Sequence, residues 1–346
     1  MSTENIKEWC SCVRNIDKVL SLQDKILWLD ENITPREGDL VLVEVVLNGN
    51  SYNHLENIHG RDVRLYPGDH IVCVLGTRKS GTKLSGSFPR TPIRKNMELE
   101  LLSLGGIVGN SVHIPSYFGG KALIVRVKSF PFFGQSPLNI KLINTPDEDG
   151  FYFTGEAYEK TIWVGGTSAE AGKTTLVSKG ILCLKDKATV GAIKIVGTGR
   201  LNDMLSYKDA GAAYISDYVD EGWPSTYNIN SEDFCLVIER LLRRSNTHSD
   251  ITFMEIGGDL LAGCAPEALG FASKSSYPFF FVVNDAMGAL SGLEILKSAG
   301  INNICICTLK QNSESLSERL GQYVLDVSDT EKVHNKFNQI QYVTVS

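Results

Sequence analysis

Val164-Gly165-Gly166-Thr167-Ser168-Ala169-Glu170-Ala171-Gly172-Lys173-Thr174-Thr175 decides the fold of the second half of this chain. It follows the apolar run Thr161-Ile-Trp-Val164 and precedes a helix-forming stretch that reaches about Lys187. A glycine-bearing loop between strand and helix is where a phosphate-binding loop forms. Its backbone N–H groups and the helix N-terminus face the anion, Lys173 supplies a positive charge, and the Thr174 hydroxyl is placed to ligate Mg²⁺. Five residues separate Gly166 from Gly172, one more than in the usual pattern.

Downstream of this loop, apolar strands alternate with helices. Thr189–Val196, Asp250–Met254, Pro278–Val283 and Asn303–Thr308 read as strands, and Ser231–Arg244 as a helix with Ser231 as its cap and an acidic first turn. Near-continuous apolar strands between helices indicate a mostly parallel sheet covered on both faces. The fold class expected is therefore α/β, a P-loop domain over residues 151–346.

Upstream the character changes. Asp39–Leu47, Asp69–Leu75 and Lys121–Val127 are short β-like runs, set apart by Asn48-Gly49-Asn50, Pro67-Gly68-Asp69 and Gly119-Gly120. Such spacing predicts a small β-rich barrel or sandwich over residues 1–150. The first 35 or so residues show no clean period. Arg36-Glu-Gly38-Asp39 and Tyr66-Pro-Gly68-Asp69 each put Gly-Asp before an apolar strand, a hint of a repeated unit. The acidic, turn-rich Asn144–Gly150 reads as the linker, and the second half is expected to fold by itself.

Composition narrows the function classes. A net charge of −6 and a pI near 5.6 argue against a general nucleic-acid or acidic-membrane binder. Two local basic groups, Arg90/Arg94/Lys95 and Arg240/Arg243/Arg244, read as solvated faces. The eight cysteines are scattered, and Cys10-Ser-Cys12 and Cys305-Ile-Cys307 lack zinc-knuckle spacing. Cys305 and Cys307 read as buried free thiols on one side of a strand. With no leader pattern and no apolar run of transmembrane length, a reducing, cytoplasmic setting is expected.

Three further features carry chemistry. Lys194 stands near the C-terminal end of a predicted parallel strand, the edge where ligands gather, and can neutralise charge on a phosphoryl group. Asp250-Ile-Thr-Phe-Met-Glu255-Ile-Gly257-Gly258 is an apolar strand ending in an acid and then glycines, a Walker-B-like arrangement. Asp209 and Asp217 offer carboxylates in the region between, and Mg²⁺ is usually held by one or two carboxylates plus phosphate oxygens.

Gly166-Thr-Ser-Ala-Glu-Ala-Gly-Lys-Thr174 resembles the phosphate loop of dethiobiotin synthetase and its relatives, Gly-Thr-Asp-Thr-Glu-Val-Gly-Lys-Thr, which has the same extra residue. That class of P-loop NTPases also holds cobyrinate amidating synthases and several dimeric ATPases. The resemblance covers roughly residues 160–325. It extends to P-loop proteins linked to N-acyl amino acid metabolism. It implies ATP and Mg²⁺ as cofactors, a small-molecule substrate and a homodimer. Gly166, Thr167, Glu170, Ala171, Gly172, Lys173, Thr174 and Thr175 would hold the nucleotide, with Lys173 and Lys194 acting in the chemistry. Lys194-Ile-Val-Gly-Thr-Gly199 is similar to the family's Lys-Pro-Val-x-Ser/Thr-Gly, with Ile195 in place of the proline. Asp209 and Asp217 each match part of the family's Ser-Asp-Ala phrase, so one of them would join Thr174 and Glu255 at the metal. Glu255 matches the acid of Val-Glu-Gly-Ala-Gly-Gly, although Ile256 replaces Gly-Ala. Asn284–Gly300 is similar to the segment after the fourth strand, and Asn312 falls where the family reads the base.

Two functions of different class follow. One is an ATP-dependent ligase or synthetase that phosphorylates a carboxylate or carbamate. The other is an ATPase switch or scaffold whose first domain binds a partner. A phosphate or N-acyl amino acid ligand on the same fold is the third reading.

Overall fold

The computed structural model describes residues 6–17, 25–48, 52–144 and 156–340. Residues 49–50 of the first turn signal and 145–150 of the expected linker lie outside them. The chain forms two compact units. The first comprises Met1–Asp149 together with Thr198–Asn202 and Tyr218–Asn228, and the second comprises Gly150–Gly197, Asp203–Asp217 and Ile229–Ser346.

The first unit contains β1 (Glu8–Trp9), β2 (Ile26–Leu29), β3 (Leu40–Leu47), β4 (His54–Glu56), β5 (Asp62–Arg64), β6 (His70–Leu75), β7 (Ser85–Ser87), β8 (Glu98–Leu101), β9 (Ile107–His113), β10 (Ile124–Phe133) and β11 (Ser136–Pro137), then helix α1 (Ile140–Asn144). β6 pairs with β3, β3 with β10, β10 with β8, β8 with β9, and β9 returns to β6. The ring closes, so this unit is a barrel and leaves none of these strands with two free edges. Leu40, Val41, Val43, Val72, Val74, Ile107, Val125 and Val127 belong to its buried apolar core.

The two Gly-Asp phrases are structurally alike. Asp39 accepts the Arg36 N–H at 2.8 Å, and Asp69 accepts the Tyr66 N–H at 2.7 Å. Gly38 and Gly68 hold φ of 88° and 91°. Each glycine N–H then bonds the far end of the other strand: Gly38 to the Leu75 carbonyl at 2.8 Å, Gly68 to the Val45 carbonyl at 2.9 Å. β3 and β6 thus form an internally two-fold pair, each entered through the same acid-locked turn. Glu56, fully buried, accepts the N–H groups of Leu201 and Asn202 at 2.6 and 2.9 Å and the Ser11 hydroxyl at 2.5 Å.

The second unit is α/β. Helix α2 (Glu156–Glu159) leads to β12 (Thr161–Gly166), α3 (Lys173–Leu184), β13 (Val190–Val196), α4 (Leu201–Ala210), β14 (Tyr214–Asp217) and α5 (Ser231–Asn246). These are followed by β15 (Ile251–Ile256), α6 (Ala265–Ala272), β16 (Phe279–Val282), α7 (Ala286–Ser298), β17 (Ile304–Thr308), α8 (Ser313–Leu320), β18 (Val324–Asp326) and α9 (Thr330–Asn338). The sheet order is β14-β13-β15-β12-β16-β17-β18, and every pairing is parallel. All strands therefore end at one edge, and the loop after β12 leaves that edge near the middle.

Residue parity assigns the faces. Phe253 of β15 packs edge-on to Phe337 of α9 with ring centroids 5.8 Å apart, and Phe280 of β16 stacks on the same ring at 4.8 Å. Gly180 lets α3 lie on these rings, since a Cβ there would meet Phe253 at 2.5 Å. On the opposite face, Thr252 of β15 shares a hydroxyl bond of 2.7 Å with Ser245 of α5. The cap of α5 is Asn230, which accepts the Asp233 N–H, and not Ser231 as the sequence reading has it. Asn one position earlier is an equally strong cap, so the acidic first turn did not fix the frame. Cys305 and Cys307 are buried on β17 with sulfurs 4.0 Å apart. No helix among the described residues is long and apolar enough to cross a membrane.

Candidate active site

The site grows from strand register. Asp217 of β14 pairs with Lys194 of β13, Lys194 with Glu255 of β15, and Glu255 with Val164 of β12. Paired residues of parallel strands point to the same face, so the row runs Asp–Lys–Glu across three adjacent strands, each about 4.8 Å from the next. That face is the one α3 covers, because Glu255 is two residues beyond Phe253. Gly180 lies over Phe253. Thr174, six residues back along α3, is displaced about 9 Å toward the strand ends, while Glu255 is displaced about 6.6 Å the same way. This brings the Thr174 hydroxyl to 3.0 Å from Glu255 Oε2 and 3.3 Å from Oε1. No strand intervenes between β15 and β12, which is why the acid reaches the helix start.

The loop after β12 turns tightly. Its Thr167 N–H bonds the Val282 carbonyl at 3.0 Å, and the Thr167 hydroxyl accepts the Asn284 N–H at 3.1 Å. Gly172 precedes α3 with φ of 105°, and a Cβ there would meet Leu309 at 2.8 Å. No side chain caps the first turn of α3, so its N–H groups are left for another acceptor. Lys173, 3% exposed, curls over the loop and donates to the carbonyls of Ser168 at 2.6 Å and Gly258 at 2.7 Å. Burial pushes its ammonium down to about 8; Glu255 opposes the shift and the nearby Lys194 adds to it.

Lys194 forms an ion pair with Asp203 of α4. Burial alone lowers a lysine, but the charges of Asp203, Glu255 and Asp217 outweigh it and hold Lys194 above its ordinary value. Its stem passes Gly257, where a Cβ would meet Cε at 3.0 Å and the Val196 carbonyl at 2.1 Å. The two lysines therefore flank the Gly257-Gly258 pair. Tyr207 of α4, fully buried, donates to Glu255 Oε2 at 2.5 Å.

The candidates named from sequence fall into two groups. Lys173, Thr174, Lys194, Asp217 and Glu255 converge on this strand-end edge. Gly166, Thr167, Ala171 and Gly172 form the loop wall, and Glu170 and Thr175 are exposed on it. Asn312 sits after β17, its amide oxygen accepting the Thr308 hydroxyl at 3.0 Å, one loop away from Gly172 through Leu309. Asp209 does not join them. It is exposed near the end of α4, and Asp203 is the α4 carboxylate at Lys194. The two stand six positions apart on the helix, about 9 Å along the axis. Asp203 and Tyr207 escaped the sequence reading. The signal for them was their four-residue spacing, which puts an acid and a hydroxyl on one helix face.

No family model matches the chain, and no curated protein matches it. Among solved structures it is similar to a DUF1611 family protein from Anabaena variabilis, with 12% identity and a TM-score of 0.38 over 57% of this chain and 63% of that one. It is also similar to FlhF complexed with GMPPNP/Mg(2+), with 16% identity and a TM-score of 0.31 over 55% of this chain and 67% of that one. A third likeness is to the kinase domain of Escherichia coli tyrosine kinase ETK, with 14% identity and a TM-score of 0.33 over 54% and 74%. The chain thus spans less than two thirds of the length of the DUF1611 protein. Likenesses this distant carry no argument about chemistry. The P-loop α/β class rests on the strand order, the parallel pairing and the position of the loop.

Proposed function

We propose that this chain binds a nucleoside triphosphate, ATP by the resemblance of its loop, and transfers a phosphoryl group to a small-molecule carboxylate or carbamate in a ligase-like reaction. The observation that carries the reading is the approach of Thr174 to Glu255 at 3.0 Å beside the buried Lys173. A hydroxyl and a carboxylate with oxygens this close suit one Mg²⁺, a cation that takes oxygen ligands at about 2.1 Å. Among the described residues no group of three or more His, Cys, Asp or Glu side chains could hold a metal. A two-donor set of this kind needs phosphate oxygens and water to complete six ligands, as at other Mg²⁺–nucleotide sites.

The chain's own groups then have separate tasks. The first-turn N–H groups of α3 receive phosphate oxygens. Lys173 gives up its carbonyl bonds and places its charge on the outer phosphates. Thr174 and Glu255 would hold the metal, which when bound would supply positive charge to the transferring group. Lys194 stands on the far side of Gly257-Gly258, its charge kept by Asp203, Glu255 and Asp217, where it meets charge that develops on transfer.

Turnover measured with and without a panel of small carboxylates and amines tests this. Strict dependence on one of them, lost in Lys194→Met while ADP binding is retained, is the expected result. Glu255→Gln is expected to lower Mg²⁺-dependent turnover more than nucleotide binding. Slow turnover indifferent to every small molecule and unchanged in Lys194→Met would favour the switch.

A further inference from the structure

Helix α4 touches the row of charges twice. Asp203 pairs with Lys194, and Tyr207, one turn on, donates its hydroxyl to Glu255. We propose that Tyr207 is a positioning residue for the metal: its hydroxyl fixes the Glu255 carboxylate so that one oxygen is presented, with the Thr174 hydroxyl, to Mg²⁺. The inference rests on the nucleotide reading above and assigns a role to a residue that the phosphate loop itself does not reveal.

Tyr207 engages one of the two carboxylate oxygens. Oε2 accepts the Tyr207 hydroxyl at 2.5 Å and the Thr174 hydroxyl at 3.0 Å, while Oε1, 3.3 Å from the Thr174 hydroxyl, takes no bond from Tyr207. A carboxylate on a strand end has a broad two-fold terminal torsion and turns freely unless something holds it. Tyr207 is fully buried, so its ring cannot swing away and its hydroxyl stays on Glu255. The Asp203–Lys194 pair fixes the rotation of α4 one turn earlier, so the hydroxyl arrives at a set place. Groups behind a metal ligand matter because they orient it, and losing one typically lowers metal affinity by about 10–100-fold.

A tyrosine that merely fills the core predicts something else. Removing its hydroxyl would then lower stability and leave the metal dependence alone. Tyr207→Phe keeps the ring and separates the two. Binding of a fluorescent ADP analogue is followed in wild type, Tyr207→Phe, Glu255→Gln and the double variant, across a Mg²⁺ titration and in excess EDTA, with thermal melting in parallel. The expected result is a Mg²⁺ half-saturation raised about 10–100-fold in Tyr207→Phe, with EDTA affinity within about two-fold of wild type. In the Glu255→Gln background, Tyr207→Phe is expected to add little, since both changes act through one ligand. An unchanged Mg²⁺ half-saturation in Tyr207→Phe, or full additivity in the double variant, overturns the positioning role while nucleotide binding stands. Wild-type protein that binds no nucleotide overturns both readings.

Discussion

Lys173 is under opposing demands. It is buried among groups that accept its bonds, yet burial favours its neutral form and brings it to about 8. An unfolded lysine titrates near 10.5, so between about 8 and 10.5 the unfolded chain binds the extra proton. Stability contributed by this side chain is therefore lowest below about pH 8 and rises with pH across that window. Full relief corresponds to roughly 3 kcal/mol on the usual conversion. Lys173→Met removes the titration. Melting of wild type and variant from pH 7 to 10 is expected to show wild type gaining on the variant as pH rises; parallel curves would mean that Lys173 is solvated. Lys173, Thr174, Lys194 and Glu255 were legible because each ends or follows a recognisable element. The sequence offers Asp209 and Asp217 but not Asp203, because a short phrase around an acid does not say which turn of a helix faces the sheet. That depends on the rotation of α4, which the Tyr207 and Asp203 bonds fix.

Among the elements, α3 does two jobs: it covers Phe253 and Phe337, and it carries the phosphate loop at its start. Its close approach depends on Gly180, where a Cβ would stand 2.5 Å from Phe253 and 2.9 Å from Phe337. Alanine gains about 1 kcal/mol of helix propensity over glycine, but overpacking a tight contact costs about 1–3 kcal/mol. Gly180→Ala is therefore expected to lower stability on balance, and to weaken nucleotide binding because Thr174 moves with the helix. A variant that melts higher and binds equally well would show that the contact yields easily. The parallel sheet was readable because doubly covered strands are continuous apolar runs, and those of β15, β16 and β17 stand out in the sequence. Their order was not, since nothing local says that β15 lies between β13 and β12. That insertion is what sets Glu255 beside Thr174.

For the whole molecule, the first unit draws in residues from the second half of the chain. Asn144 donates to the Val219 carbonyl at 2.7 Å, Ser225 to the Thr77 carbonyl at 2.5 Å, and Arg14 pairs with Asp220 at 2.9 Å. Periodicity could not show this, because Thr198–Asn202 and Tyr218–Asn228 contribute no strand to the barrel pairing. The barrel strands themselves were visible as alternating runs between turns, and the Gly-Asp repeat marked the β3–β6 pair. A fragment from Phe151 to Ser346 leaves the partners of both segments behind. It is expected to melt well below the full chain or to aggregate, in place of the independent folding read from the sequence. A fragment as soluble and stable as the full chain would contradict this.

The loop from Gly166 to Thr174 is proposed to hold a nucleotide through Lys173. Calorimetric titration of the full chain with ATP and Mg²⁺, wild type against Lys173→Ala, tests it most directly. A lost bond to a charged group is worth about 1.5–3 kcal/mol, which is roughly a 10–150-fold weakening. A loss of that size is expected in a variant whose circular dichroism matches wild type. Equal ATP affinity in the folded variant, or no ATP binding by either protein, would contradict it.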